Sequence, residues 1–240
     1  MLKNFSLSKP FFEFGPKVFL YGKRALDLAL FADELCEKYN LDIIFSAQYF
    51  DIYPIVKNTK RLKVFAQHMD AVRPGRGIGA VLPEALKDVG AHGTLLNHIE
   101  KPLTLEVLSN TIQRAEEVGL ATAVCAGNFL ESLAIANLMP DIILAESPST
   151  IGKATRFIYD SSEIKNINSS VFSINPKILV MHSGGIINDL AVYNIIKAGA
   201  DATGTTSGVV KAENPKEMLE KMIISLVKAW EERSNGEVRS

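Results

Sequence analysis

Short apolar runs alternate with longer segments of helical period along this chain, and this alternation constrains the fold more than any other feature. The runs with strand character are residues 17–20, 41–46, 62–67, 93–97, 121–125, 141–145, 177–181 and 202–206. The helical segments between and after them are residues 24–39, 83–89, 105–119, 129–139, 189–198 and 216–232. Strands that alternate with helices pair in parallel through right-handed crossovers. Over 240 residues, the pattern predicts a closed (β/α)8 barrel, with a doubly wound open sheet as the alternative.

No change in composition divides the chain, so we predict one domain over residues 1–240. Residues 1–9 and 234–240 are expected to be flexible extensions of that domain. The segment 155–175 is polar and has the least regular pattern, and no element is predicted there.

Charge and cysteine content exclude several classes of protein. Lys and Arg number 26 against 27 acidic residues, so no basic excess indicates a nucleic-acid or membrane-surface partner. No apolar run approaches the ~20 residues that span a bilayer, and the N-terminus does not resemble a signal peptide. Cys36 and Cys125 lie in apolar segments and are expected to be buried thiols, and no Cys or His spacing indicates a metal site. We therefore expect a cytoplasmic protein that binds neither nucleic acid nor membrane.

Two chemically useful side chains directly follow predicted strands. Glu146 comes after the strand at 141–145, and His98 comes after the strand at 93–97. Barrel enzymes keep their catalytic groups at the carboxyl ends of the strands. There a carboxylate can take a proton from carbon next to a carbonyl, and a neutral imidazole can donate a hydrogen bond to the carbonyl oxygen. Alternatively, Glu146 could form a salt bridge or cap a helix, and His98 could be a buried structural residue. We expect a structural role for the three other histidines, His68, His92 and His182.

Several local motifs occur in a fixed order between Gly22 and Ile224. In sequence order they are Ala66-Gln67, Pro74-Gly75, Ile78-Gly79, Asn97-His98-Ile99-Glu100-Lys101, Glu146-Ser147-Pro148 with Ile151-Gly152, and Thr206-Ser207-Gly208 with Lys211. Together they resemble the motifs of the triosephosphate isomerase family, especially its shorter archaeal members. The resemblance implies a TIM barrel and an aldose–ketose isomerase acting on a small phosphorylated sugar, with triose phosphate as the first expectation.

The resemblance also implies roles for individual residues. Glu146 is the expected catalytic base, His98 the electrophile, and Lys17 the cation that holds the substrate phosphate. Gln67, Asn97 and Glu100 are expected to support them, Glu100 by orienting the lysine. The expected phosphate-binding residues are Gly152 in a closing lid at 147–153, Ser183, Gly184 and Gly185 after the seventh strand, and Ser207 and Gly208 after the eighth. No cofactor or metal is implied, and the loop at 73–79 implies a homodimer or homotetramer.

The chain departs from the family pattern at several positions. Gly15 replaces the asparagine of an Asn-x-Lys motif, Ile99 replaces a serine, Ile78 replaces a threonine, and the lid lacks its usual first proline. The eighth strand is unusually polar at 203–206, which could make room for a longer sugar phosphate. Each lost polar partner in a buried site is worth ~1–3 kcal/mol. The alternatives are therefore an isomerase of a longer, tetrulose-type sugar phosphate, or a non-catalytic barrel that binds phosphate esters.

Overall fold

The computed structural model describes residues 5–146 and 160–237. Its strands are β1 Phe11–Phe14, β2 Asp42–Ala47, β3 Lys63–Ala66, β4 Gly93–Leu96, β5 Ala121–Ala126, β6 Ile142–Glu146, β7 Leu179–Ser183 and β8 Ala202–Thr205. They form one sheet in the order β7-β6-β5-β4-β3-β2-β1-β8 with parallel pairing throughout. The two edge strands, β7 and β8, lie against each other and close the sheet on itself. The predicted (β/α)8 barrel is confirmed.

Helices surround this barrel. They are α1 Lys23–Tyr39, α2 Tyr49–Asn58, α3 Pro83–Asp88, α4 Leu105–Val118, α5 Phe129–Ala136, α6 Ser161–Ile174, α7 Asp189–Lys197, α8 Ser207–Val210 and α9 Pro215–Glu237. Short polar side chains fix several of their starts: Thr104, Asn128 and Asn188 each accept a hydrogen bond from a backbone N–H three residues on. No helix in the described part of the chain is long and apolar enough to cross a membrane.

The first strand is the main error of the sequence prediction. Residues 17–20 form a turn, with Lys17 at a φ of 48° and Val18 and Phe19 exposed. The strand is Phe11–Phe14 instead, and all four of its side chains are buried. Strands of parallel sheets are buried on both faces and usually have a continuous apolar sequence. The acidic residue Glu13 interrupts that apolar run, so the strand was not predicted.

Three helices were also absent from the prediction: the four-residue α8 and two longer helices, α2 and α6. α2 covers an aromatic, proline-containing stretch, and α6 lies in the polar segment 155–175. Both bury a narrow apolar stripe, Ile52 and Ile55 in α2 and Ile164, Ile167 and Val171 in α6, while their other faces are polar or aromatic. Packing on the barrel, not intrinsic helix propensity, explains them.

Alternate residues of each strand point to opposite layers of the core. Phe12 and Phe14 pack outward against the helices, whereas Phe11, Ile44 and Leu144 pack in the barrel interior. Residues 5–9, part of a predicted extension, lie beneath that interior: the ring of Phe5 lies 5.9 Å from that of Phe65. The other predicted extension begins within α9, which runs to Glu237. Because Glu13 is two residues after Phe11, its side chain is also directed into the barrel, near the carboxyl ends of the strands.

Candidate active site

The carboxyl ends of the strands surround a cavity of about 390 Å³. Most of the residues that the sequence singled out contribute to its wall: Lys17, Gln67, His98, Glu100, Glu146, Ser183, Gly184, Gly185 and Ser207. Six different strands or the loops that follow them supply the polar groups, as in other barrel enzymes.

Glu146 is the last residue of β6 and lies opposite Ser183 of β7 in the strand register. Burial raises the pKa of its carboxyl to about 6, and the nearby charge of Glu100 adds to the increase. The Lys17 ammonium and a hydrogen bond from Ser183 lower the pKa and so limit the shift. The carboxylate is therefore mostly ionised at neutral pH, yet more basic than an ordinary glutamate.

His98 is held in one tautomer by the chain that follows it. The backbone N–H of Glu100 donates to His98 Nδ1 at 3.1 Å, so the ring proton of the neutral form is on Nε2. Burial and the Lys17 ammonium lower the pKa of His98, and the Glu100 carboxylate opposes them. Although that carboxylate lies 3.9 Å from Nδ1, the amide donor and the buried setting keep the imidazole neutral. Nε2 can thus serve as a hydrogen-bond donor.

Lys17 has an unusual backbone and two fixed contacts. Its φ of 48° is in the left-handed region, which residues other than glycine rarely adopt. Gln67 Nε2 donates to the carbonyl of Lys17 and to that of Ser46, both at 3.0 Å. Lys17 Nζ lies 2.9 Å from Glu100 Oε1. Gln67 and Glu100 together position the ammonium at the cavity wall.

Asn97 and Gly208 lie behind the cavity wall. Asn97 Nδ2 donates to the carbonyl of Cys125 and its Oδ1 accepts from the N–H of Leu103, both at 3.0 Å, so this side chain braces the loop that carries His98. The N–H of Gly208 donates to Thr205 Oγ1 at 3.2 Å. Gly208 also permits close packing, since a Cβ there would lie 2.8 Å from the carbonyl oxygen of Ile186.

The remaining predicted phosphate-binding residues differ in how far the structure describes them. Gly184 and Gly185 line the cavity at φ values of 101° and 70°, a loop shape that favours glycine. Ser207, at the start of α8, lines it as well. Gly152 and the lid at 147–153 lie outside the described residues.

The cavity also contains polar residues that the sequence did not reveal. Glu13 is 8% exposed, and the hydroxyl of Ser46 donates to its Oε1 at 2.7 Å. Lys211 lines the wall close to Ser207 in sequence and was noted only as part of a motif. Glu13 was missed because the first strand was placed after it. The available signal was a lone acidic residue within an apolar run between Pro10 and Pro16.

The polar eighth strand ties the loops together. Thr206 Oγ1 donates to the carbonyl of Gly15, and Thr205 Oγ1 donates to that of Ile186, both at 2.6 Å. The space beside Gly204 is filled by Glu13, whose backbone oxygen would lie 2.5 Å from a Cβ at that position. These contacts give the hydroxyls of Thr205 and Thr206 their partners and fill the space beside Gly204.

Comparison with known proteins agrees with this geometry. The sequence profile described as triosephosphate isomerase matches residues 20–222. The chain belongs to the triosephosphate isomerase family. The resemblance found in the motifs is thus confirmed, and the protein is an isomerase.

Individual members of the triosephosphate isomerase family are similar over nearly their whole length. The protein named triosephosphate isomerase from Methanocaldococcus jannaschii is 35% identical, over 84% of this chain and 92% of the relative. The one from Sulfurisphaera tokodaii is 33% identical over 87% and 91%, and the one from Methanosarcina mazei is 32% identical over 90% and 99%.

Proposed function

We propose that this protein interconverts dihydroxyacetone phosphate and glyceraldehyde 3-phosphate. One observation carries the proposal: a partly buried, basic Glu146 and a neutral His98 with its proton on Nε2 face the same cavity. Carboxylate base plus neutral imidazole is the arrangement for which triosephosphate isomerase is itself the standard example.

In the proposed mechanism, the Glu146 carboxylate removes a proton from the carbon of the hydroxymethyl group next to the substrate carbonyl. The electron pair moves into the carbonyl, giving an enediolate. His98 Nε2–H donates a hydrogen bond to the developing oxyanion, and the Lys17 ammonium offsets its charge. His98 Nε2–H gives its proton to the former carbonyl oxygen, and the ring takes the proton of the hydroxyl on the first carbon in its place. Protonated Glu146 returns its proton to the neighbouring carbon, so that the first carbon becomes the aldehyde and both side chains regain their starting states. Every step moves a proton between the substrate and a named group, and no step is assigned to a metal or cofactor.

The phosphate is proposed to bind beside the last two strands. Ser183, Gly184, Gly185 and Ser207 line the cavity there, where backbone N–H groups can approach an anion closely. Lys211 adds a cation to the same region. Gly208 and Gly152 remain predicted contributors.

An assay of purified protein with dihydroxyacetone phosphate tests the proposal. We expect wild-type turnover, a loss of ~10²-fold or more in Glu146→Gln, and no change in Glu231→Gln, an exposed glutamate on α9 that serves as the control. Full activity in Glu146→Gln would contradict the role of the base. A wild type that binds the sugar phosphate without turnover would favour the non-catalytic barrel, and turnover of a tetrulose phosphate alone would favour the longer substrate.

We also propose that the protein works as a homo-oligomer. The loop at 73–79 presents Ile78 fully exposed at its tip. Val18 and Phe19 on the loop after β1 and Phe50 on α2 are also exposed, and the N–H of Gly22 donates to Asp51 of α2 and ties that loop to the helix. Apolar side chains exposed together mark interaction surfaces, and a protruding Ile suits insertion against an apolar patch on a second copy.

Light scattering after size-exclusion chromatography checks this. A dimer or tetramer is expected for the wild type, with dissociation toward the monomer in Ile78→Asp. Leu190→Asp, an equally drastic change at an exposed residue of α7, is expected to leave the mass unchanged. A monomeric wild type would refute the proposal.

A further inference from the structure

Glu13 is a second carboxyl group in the cavity that holds Glu146, and the mechanism above does not use it. It lies on the inward face of β1 and contributes to the same wall as His98 and Lys17. In the part of the chain that the structure describes, Ser46 is its one hydrogen-bond partner, through Oε1. The second carboxyl oxygen, Oε2, is therefore available to a ligand.

The space for this carboxyl is created by two glycines. A Cβ at Gly15 would lie 2.7 Å from Glu13 Oε1, and a Cβ at Gly204 would lie 3.0 Å from Glu13 Oε2. A side chain at either position would displace the group. The carboxyl is thus held between β2, which supplies Ser46, and β8, which supplies the gap at Gly204.

The groups around Glu13 favour its neutral form. Burial raises its pKa to about 7, the Glu146 carboxylate adds to the increase, and the Ser46 hydrogen bond and the Lys17 ammonium oppose it. On β5, Cys125 faces the same carboxylates, and burial raises the pKa of its thiol well above its usual value. Because Glu146 ionises first, its negative charge helps to keep the proton on Glu13.

We propose that Glu13 is a further catalytic residue, whose protonated carboxyl donates a hydrogen bond from Oε2 to a substrate oxygen. Ser46 holds Oε1, so the carboxyl presents a defined donor to the cavity. With His98 and Lys17, it would be the third group that stabilises the oxyanions of the enediolate. The inference rests on the proposed isomerase function and adds a residue to its site.

The two carboxyl groups then need opposite states of ionisation. Glu146 must be ionised to accept a proton from carbon, and Glu13 must be protonated to donate. We expect kcat/KM to decline below the lower and above the higher of two apparent pKa values, which belong to the interacting pair. A glutamine at position 13 carries a permanent N–H donor of similar shape, so it should remove the alkaline decline.

The experiment compares kcat/KM for dihydroxyacetone phosphate between pH 5.5 and 9.5 in the wild type and Glu13→Gln. At pH 9 we expect the variant to exceed the wild type by about tenfold or more, and near pH 6 the two should be similar. Asp141→Asn, which alters a buried carboxyl at the opposite end of the barrel, should keep the wild-type profile. An unchanged alkaline decline in Glu13→Gln would overturn the proposal, as would a folded variant that is inactive at every pH.

Ser46→Ala provides a second test that leaves Glu13 in place. Removing this hydrogen bond takes away an interaction that lowers the pKa of Glu13. The alkaline decline should therefore move to higher pH. A decline that stays in place, or that moves to lower pH, would overturn the proposal.

Failure of the isomerase function would be recognised separately, as a wild type without turnover at any pH. Binding of 2-phosphoglycolate, measured by calorimetry, then tests Glu13 without catalysis. The carboxylate of this ligand is attached to a carbon that bears a phosphate, so its two oxygens can accept a hydrogen bond from Glu13 as the substrate oxygens would. The ratio of the affinity of Glu13→Gln for 2-phosphoglycolate to that of the wild type should be about tenfold higher at pH 9 than at pH 6. A constant ratio would overturn the assignment of Glu13.

Discussion

Replacing Glu13 by glutamine should make the stability of the protein less dependent on pH. The carboxyl is buried in the barrel, and its pKa is raised from 4.5 to about 7 in the folded state. Because the raised pKa belongs to an acid, the folded state binds more protons than the unfolded chain between these two values. Stability is therefore fully retained below pH 4.5 and is lost as the pH rises through this range.

The size of the effect follows from this shift. One pKa unit corresponds to about 1.4 kcal/mol, so the whole shift is worth about 3 kcal/mol. Between pH 5 and pH 8.5, the wild type should lose about 2.5 kcal/mol of unfolding free energy through this one group. A neutral glutamine can still accept the Ser46 hydrogen bond, and it carries no such loss.

Urea unfolding at pH 5 and pH 8.5, at one fixed protein concentration, measures the effect. The difference in unfolding free energy between Glu13→Gln and the wild type should shift by about 2.5 kcal/mol in favour of the variant at the higher pH. The exposed control Glu231→Gln should track the wild type at both pH values. A difference that stays constant, or shifts in favour of the wild type, would refute the buried, proton-bearing state of Glu13.

Three further predictions concern the catalytic groups and their support. Below the Glu146 pKa of about 6, kcat/KM should fall about tenfold for each unit by which the pH is lowered, and a pH–rate profile measures this. A profile that stays flat down to pH 5 would exclude Glu146 as the base. His98→Gln should reduce kcat by ~10²-fold while this acidic decline persists, and steady-state kinetics that show no reduction would exclude the electrophile. Asn97→Ala should lower the unfolding free energy by about 2 kcal/mol, because it loses the bonds to Cys125 and Leu103 and keeps a left-handed backbone. Asn97→Gly accepts that backbone and should lose about 1 kcal/mol less, as denaturant unfolding would measure; equal losses would show that backbone strain does not contribute.

The sequence predicts the barrel well because its repeating pattern is a direct consequence of parallel strands covered by helices. The motif at Asn97-His98 and the strand before Glu146 also predict which end of the barrel these side chains reach. Such predictions need only the position of a residue relative to the end of its own strand, which is local information.

The remaining features depend on contacts between distant segments. Glu13 makes β1 look interrupted, and only the register of β1 with β2 and β8 brings it to Ser46 and Gly204. The polarity of Thr205 and Thr206 is explained by carbonyl groups on other loops, which no local pattern reveals. The neutral state of His98 likewise depends on one backbone N–H and on burial.

The central claim is that Glu146 transfers a proton between the two carbons of the substrate. Converting dihydroxyacetone phosphate in D2O and analysing the glyceraldehyde 3-phosphate by proton NMR tests it most directly. We predict that the wild type incorporates solvent deuterium at C2 of the product, since a base in a cavity exchanges its proton with solvent, and that Glu146→Gln forms neither product nor exchanged substrate. Rapid conversion by Glu146→Gln, whether or not the product carries deuterium at C2, would contradict it.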